Sequence, residues 1–255
     1  MSTKIEWVQN VDGTQGKTWN PITGCSKISI GCRYCYAERL AKRLGGRYGY
    51  PKDEPFRVTF HPQRLCQPLE WEKPLMVFLC SMSDFFHRDV PDDYIFQILD
   101  IIKKCPQHTF QILTKRSHRM VQISKKIKLW PSNVWLGVTV EAKKYKKRID
   151  HLKLVNSSVR FLSCEPLLEN LGELDLHGVD WVIVGGESGP KARPMRSEWA
   201  IDIRDQCLAE RISYFFKQWG GVNKKAAGRE LEGKEWNQMP KIYTSPDDSQ
   251  RKLAL

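Results

Sequence analysis

The chain has 255 residues, 41% of them hydrophobic and 27% charged, with a formal net charge of +12. That length carries a sizeable core in one large α/β domain or two small ones. No run of about 18 apolar residues occurs, which argues against a transmembrane helix. The first twenty residues lack an apolar signal core, so the expected location is the cytoplasm, with no membrane partner. The positive excess points either to a polyanionic partner, such as nucleic acid or a nucleotide, or to a solvated basic face. Its densest cluster is Lys143–Arg148, with a looser one at Lys125–Lys128.

In chain order, a short first strand is expected near Trp19–Thr23. Apolar, β-rich runs follow at Met76–Cys80, Thr109–Leu113, Val134–Val140, Val159–Ser163, Trp181–Val184 and Ile212–Phe216. Continuous apolar runs of this length suit strands buried on both faces of a parallel sheet. Helical patterns lie between them. Tyr36–Leu44 stops before Gly45-Gly46. Pro91–Lys104 has Asp92 and Asp93 at its start and Lys103 and Lys104 at its end, matching the helix dipole. Glu141–Leu154 and Ser197–Arg211 are also helix-like, whereas Pro166–His177 shows little helical pattern. Alternating strand and helix implies right-handed βαβ units. About seven strands fit an α/β partial, open (β/α) barrel of mostly parallel strands. The expected organisation is one such domain over residues 1–219, with an insertion at about 47–71. An extension over 220–255 is rich in Lys, Gly and Glu and expected to be partly loose.

Of the eight cysteines, Cys66, Cys80, Cys105, Cys164 and Cys207 are scattered in or beside apolar runs and are expected to be buried free thiols. The other three crowd into one loop, Gly24-Cys25 through Gly31-Cys32-Arg33-Tyr34-Cys35. Thiolates bind soft metals, a Cys-x-x-Cys pair reaches one site from a single turn, and Gly24 and Gly31 free the backbone to wrap around it. A structural zinc site closes with four ligands, whereas three cysteines on a 4Fe–4S cluster leave one iron open for a small molecule. Three alternatives stay open. One is zinc with His61 or another residue as fourth ligand. The second is a structural or electron-transfer cluster, and the third is three unligated thiols.

The catalytic face of a (β/α) barrel lies at the carboxyl ends of its strands. There the sequence places Ser81, Ser83 and Asp84; Lys115 and Arg116; Thr139 and Glu141; Glu165; Gly185, Gly186 and Glu187; and Lys217. Their repetition on one side points to a single charged pocket. Gly185-Gly186 is either a close approach to a ligand or a tight turn without one. Glu165 and Glu187 either face the pocket or form ion pairs with Lys115, Arg116 or Lys217. Trp71, Trp135 and Trp181 read as core, and Trp219 is the candidate for ligand stacking.

The cysteine loop resembles that of the radical S-adenosylmethionine superfamily. It keeps the Cys32-Arg33-Tyr34-Cys35 spacing and the aromatic Tyr34 before the third cysteine. It departs in having six residues, rather than three, between Cys25 and Cys32. The wider chain, over most of residues 17–240, resembles a family of phage and bacterial proteins known for a three-cysteine motif. That likeness is carried by WNPITGCSKISIGCRYCYAERL, VTFHPQRL, SMSDFFHRDVPDDYI, HTFQILTKR, NVWLGVTVE, VRFLSCEPLL, DWVIVGGESGPKARPM and FFKQWG. The superfamily resemblance implies a partial barrel and a 4Fe–4S cluster on Cys25, Cys32 and Cys35. It also implies reductive cleavage of S-adenosylmethionine to a 5′-deoxyadenosyl radical that takes hydrogen from a substrate. The amino group of S-adenosylmethionine would map onto Ser81, Ser83 and Asp84, its ribose onto Thr139 and Glu141, and close backbone approach onto Gly185 and Gly186. Tyr34 would lie beside the cofactor, and Lys115, Glu165, Glu187 and Lys217 would act on the substrate. An electron donor is then required and a partner protein is conceivable, with a nucleic acid, nucleotide or modified base as the expected substrate. The competing function is a non-enzymatic nucleic-acid-binding module with a structural metal site.

Overall fold

A computed structural model describes residues 3–127, 129–223 and 226–240. Strands β1 (Lys17–Trp19) and β2 (Ile22–Thr23) precede the cysteine loop, and helix α1 (Tyr36–Leu44) follows it. Then come β3 (Thr59–Phe60), β4 (Met76–Leu79), α2 (Asp92–Lys103), β5 (Thr109–Thr114), α3 (Ser117–Ser124), β6 (Val134–Thr139) and α4 (Lys147–Lys153). The chain continues through β7 (Val159–Cys164), β8 (Trp181–Gly185), α5 (Ser197–Ala209), β9 (Ser213–Gln218), β10 (Glu230–Leu231) and β11 (Lys234–Glu235). Strands β1, β4, β5, β6, β7, β8 and β9 form one parallel sheet in that spatial order, curled into a half-barrel with β1 and β9 as its edges. This is the partial (β/α) barrel that the alternating pattern predicts.

The apolar runs are continuous because each strand is buried twice, and the two-residue period sorts its side chains between two cores. Val77, Leu79, Phe110, Ile112, Leu136, Val138, Leu162, Val182, Val184 and Phe216 pack against the helices. Met76, Phe78, Trp135, Phe161, Trp181, Ile183 and Phe215 form the other core, into which the N-terminal segment inserts Trp7. The Trp7 ring lies 4.8 Å from Phe78, 6.2 Å from Phe161 and 6.1 Å from Trp181. Deleting a large aromatic side chain from such a core costs about 3–5 kcal/mol.

Three departures from the expected elements have physical causes. The first strand is split at Asn20-Pro21: Lys17–Trp19 joins the sheet, while Ile22–Thr23 turns away to pair antiparallel with Thr59–Phe60. Pro21 has no N–H to donate to a ladder. The expected helix over Glu141–Leu154 begins late, because Glu141 and Ala142 are buried, and a 3₁₀ turn over Lys143–Tyr145 precedes α4. Helix α3 is not among the expected elements, because its eight residues start three positions after β5 and carry no Pro or Gly to punctuate them. Cys80, Cys105, Cys164 and Cys207 are buried, whereas Cys66 is exposed.

Within the extension, Leu231 is buried and Trp236 packs edge-on to Tyr214 at 5.9 Å. Residues 224–225 and 241–255 lie outside the described residues, as does Lys128 of the looser basic cluster. No helix among the described residues is long and apolar enough to cross a membrane.

Candidate active site

At the carboxyl ends of the sheet strands, under the cysteine loop, lies a cavity of about 460 Å³. Cys25, Cys32 and Cys35 line it together with Tyr34, Ser81, Ser83, Asp84, Lys115, Thr139, Glu165, Gly186, Glu187 and Lys217. Glu141 and Gly185 fall outside this lining. Sequence reasoning did not anticipate the wall made by Lys4, Ile5, Glu6 and Trp7, nor the thiol of Cys80.

The loop enters through Gly24, whose φ of +84° is left-handed. Its N–H donates to the Met82 carbonyl at 2.9 Å, and the Ser83 hydroxyl donates to the Gly24 carbonyl at 2.7 Å. A 3₁₀ turn over Ile30–Cys32 follows, and Cys35 is the residue that caps α1. Burial, with Asp84 adding to it, pushes the Cys25 thiol up to about 12. A bound soft cation is what holds such a thiol as thiolate.

Among the described residues, no three His, Cys, Asp or Glu side chains converge on a single-ion site. A zinc ion requires that convergence. His61, the candidate fourth zinc ligand, is buried away from the cavity with its Nε2 2.8 Å from the Thr23 hydroxyl. A 4Fe–4S cluster gives each cysteine its own iron, so its ligands stand around it rather than meet at a point. The donor set facing the cavity, three thiols from one loop, fits that group with one corner open.

The carboxylates divide by their partners. Asp84 accepts from Phe86 N–H at 3.0 Å, the Thr114 hydroxyl at 2.7 Å and Lys115 N–H at 3.1 Å, and lies 3.9 Å from Arg116. Glu141 is fully buried and pairs with Arg148 at 2.8 Å. Glu187 accepts from Arg193 Nε at 2.8 Å, its Nη2 at 2.5 Å and its backbone N–H at 3.0 Å. Burial alone would raise the Glu187 carboxyl, but these Arg193 contacts hold it below its usual value. Glu165 pairs with Lys217 at 3.1 Å and accepts from the Ser163 hydroxyl at 3.2 Å. Lys115 makes no ion pair among the described residues. The Ser81 hydroxyl exchanges hydrogen bonds with the Asn20 amide at 3.1 and 3.2 Å.

Gly186 is constrained by close backbone approach, since a Cβ there would lie 1.9 Å from the Trp219 carbonyl oxygen. Trp219 itself packs edge-on to Phe216 at 4.8 Å and donates from Nε1 to the Glu230 carbonyl at 2.9 Å, outside the cavity lining. Of the basic cluster, Lys143, Lys144 and Lys147 are exposed without ion pairs among the described residues. Lys146 donates to the Glu173 carbonyl and Arg148 is buried. Arg193 and Tyr145 emerge only from the structure. Arg193 sits in the GPKARPM segment, directly after the glycine-rich turn, the one signal that marked its neighbourhood.

Among solved structures the chain is similar to spore photoproduct lyase. It matches a mutant with dinucleoside spore photoproduct at 10% identity and a TM-score of 0.40, covering 81% of this chain and 66% of that one. A second complex with dinucleoside spore photoproduct matches at 10% identity and 0.41, covering 74% and 60%. A further mutant matches at 10% and 0.40, covering 93% and 71%. The chain thus spans between 60% and 71% of the length of these structures. No curated protein matches it. The family model described as "Protein of unknown function (DUF5131)" matches residues 2–240, and the chain belongs to that family.

Proposed function

We propose that this protein is a radical S-adenosylmethionine enzyme that holds a 4Fe–4S cluster on Cys25, Cys32 and Cys35. The observation that carries the reading is that three thiols of one loop line the cavity formed by the strand ends of a parallel half-barrel. When bound, the cluster and S-adenosylmethionine supply one-electron reductive cleavage and a 5′-deoxyadenosyl radical able to abstract hydrogen.

The chain's own residues bind and orient. Ser81 and Ser83 offer oxygens to an ammonium, Thr139 offers a hydroxyl to a ribose, and Lys115 offers its ammonium to a carboxylate. Tyr34 and Gly186 shape the wall. Glu165 and Lys217, 3.1 Å apart, present an acceptor and a donor to the substrate. Trp7 and its aromatic neighbours close the cavity on the inner face of the sheet and keep water out from that side. The net charge of +12 favours a nucleic acid, nucleotide or modified base as substrate, with a separate protein or reductant delivering the electron.

The test is anaerobic reconstitution with iron and sulfide, reduction with dithionite, and measurement of 5′-deoxyadenosine. Wild-type protein and Cys66→Ala should bind iron and form product. Cys25→Ala, Cys32→Ala and Cys35→Ala should do neither. A colourless protein that binds zinc and releases no 5′-deoxyadenosine would point instead to a structural metal module. Full iron loading by Cys25→Ala would show that the first ligand is misassigned.

A further inference from the structure

The six residues between Cys25 and Cys32 form a long spacer, and both of its ends are gripped from the sheet. Arg116, after β5, donates to the Ser26 carbonyl at 3.0 Å and to its hydroxyl at 2.8 Å. Arg193, beyond β8, donates to the Ile30 carbonyl at 3.1 Å. The Tyr145 hydroxyl, beyond β6, accepts the Ile30 N–H at 3.0 Å. Behind each grip stands a nearly buried carboxylate. Asp84 lies 3.9 Å from Arg116, and Glu187 binds Arg193 through both oxygens. Glu141 binds Arg148, whose guanidinium lies 4.2 Å from the centre of the Tyr145 ring.

We propose that Asp84–Arg116, Glu187–Arg193 and Glu141–Arg148–Tyr145 are positioning struts that hold the spacer so that Cys25 and Cys32 face the cavity. The ligand role of those thiols rests on the cluster reading above. Fixing an irregular loop costs about 1–2 kcal/mol per residue in backbone entropy, so a long spacer needs specific anchors. Buried charges must in turn be paired. Glu187 and Glu141 meet that need by hydrogen bonds to Arg193 and Arg148, while Asp84 lies 3.9 Å from Arg116 Nε, which has no hydrogen-bond partner among the described residues. Asp84 and Glu187 have most of their acceptor capacity taken by these and neighbouring donors. Glu141 keeps Oε1 without a hydrogen-bond partner among the described residues, directly beneath Gly31. A Cβ on Gly31 would lie 2.9 Å from that oxygen, so glycine is what lets the loop rest on Glu141.

The test uses the full-length chain, reduced and free of iron, and follows alkylation of each cysteine by iodoacetamide with mass spectrometry. Cys66, which is exposed, serves as the internal reference. Arg193→Ala should speed alkylation of Cys32 by about tenfold to a hundredfold, the effect of one lost charge-assisted hydrogen bond on loop opening, with Cys66 unchanged. Arg193→Lys should recover part of the protection. Tyr145→Phe alters no charge and keeps the ring under Arg148. It should move Cys32 in the same direction, and it serves as the conservative variant should Arg193→Ala fold poorly. After reconstitution, Arg193→Ala should bind less iron per chain and show an altered electron paramagnetic resonance spectrum. Loop-thiol alkylation identical to wild type in Arg116→Ala, Arg193→Ala and Tyr145→Phe would overturn the proposal. Wild-type protein that takes up no iron would overturn the cluster reading and the ligand role with it, while the alkylation rates would still decide whether the struts hold the loop.

Discussion

Arg148→Ala is the sharpest perturbation of this architecture. Arg148 belongs to the basic run Lys143–Arg148, yet its guanidinium is turned inward. It donates to the Thr139 carbonyl at 2.6 Å and to Glu141 at 2.8 Å and covers the Tyr145 ring. The Glu141 side chain is 0% exposed. Removing the arginine would leave a carboxylate in the interior with no cation, an error that costs about 3–5 kcal/mol. For a chain of this size each kcal/mol moves the melting temperature by about 2–4 °C, so a drop of about 6–20 °C is expected. Lys143→Ala, at an exposed position without a side-chain ion pair among the described residues, should stay within about 0.5 kcal/mol of wild type. Glu141→Leu combined with Arg148→Met should recover much of the loss, because replacing both partners of a buried pair by apolar residues of similar volume is often neutral. Calorimetry and urea titration of the four proteins measure all of this. A loss below about 1 kcal/mol in Arg148→Ala, or a double variant no better than the single one, would refute the reasoning.

Two further outcomes follow from the structure. Burial, with Arg64 adding to it, pushes His61 down to about 4. Between about pH 6.5 and 4 the unfolded chain therefore holds a proton that the folded chain lacks, so stability falls as pH drops through that window. The loss is about 3 kcal/mol and should be missing from the urea midpoints of His61→Gln; equal pH slopes in the two proteins would remove the assignment. Replacing Lys143, Lys144 and Lys147 by Gln should weaken binding to DNA or RNA. It should also flatten the dependence on log salt by about 2–3 if each lysine meets one phosphate. An unchanged slope in anisotropy titrations would place the polyanion elsewhere.

How much was legible in the chain depended on whether the signal was local. Tyr36–Leu44 could be read with its bounds because Gly45-Gly46 stops the helix at its own end. The strands of the sheet were legible because each is a short apolar run followed by a polar cluster. The first strand is placed across Trp19–Thr23 because Pro21, which breaks it, lies inside an otherwise β-rich stretch, while the part that joins the sheet starts earlier, at Lys17. Helix α3 escaped because its eight residues start three positions after β5 and carry no Pro or Gly punctuation. The cysteines declared themselves through spacing. The groups that hold their loop did not, since Arg193 and Ile30 are 163 residues apart and Tyr145 and Ile30 are 115 apart. Only the fold brings them together.

The placement of arginine and lysine near the loop separates two uses of positive charge. Arg116, Arg148 and Arg193 each face a carboxylate at a strand end, so these three cations beside the cysteine loop are paired. A planar guanidinium suits that task, because it can bind a carboxylate and a backbone carbonyl from one head and lie flat on a tyrosine. Lys143, Lys144 and Lys147 instead make no ion pair among the described residues and are held outside on a turn and the start of α4. Flexible, strongly hydrated ammonium groups there can meet a phosphate backbone without a fixed register. The net charge of the chain therefore speaks about the partner at its surface, and the polarity of the cavity must be read from Lys115, Glu165 and Lys217. Lys144 Nζ lies 5.2 Å from the centre of the Tyr145 ring and so touches one strut, whereas Lys143 and Lys147 make no ion pair or ring contact with the struts among the described residues. Substitutions of Lys143 and Lys147 should be additive with Arg193→Ala in stability and distinct from it in effect, one set altering polyanion binding and the other altering the cysteine loop.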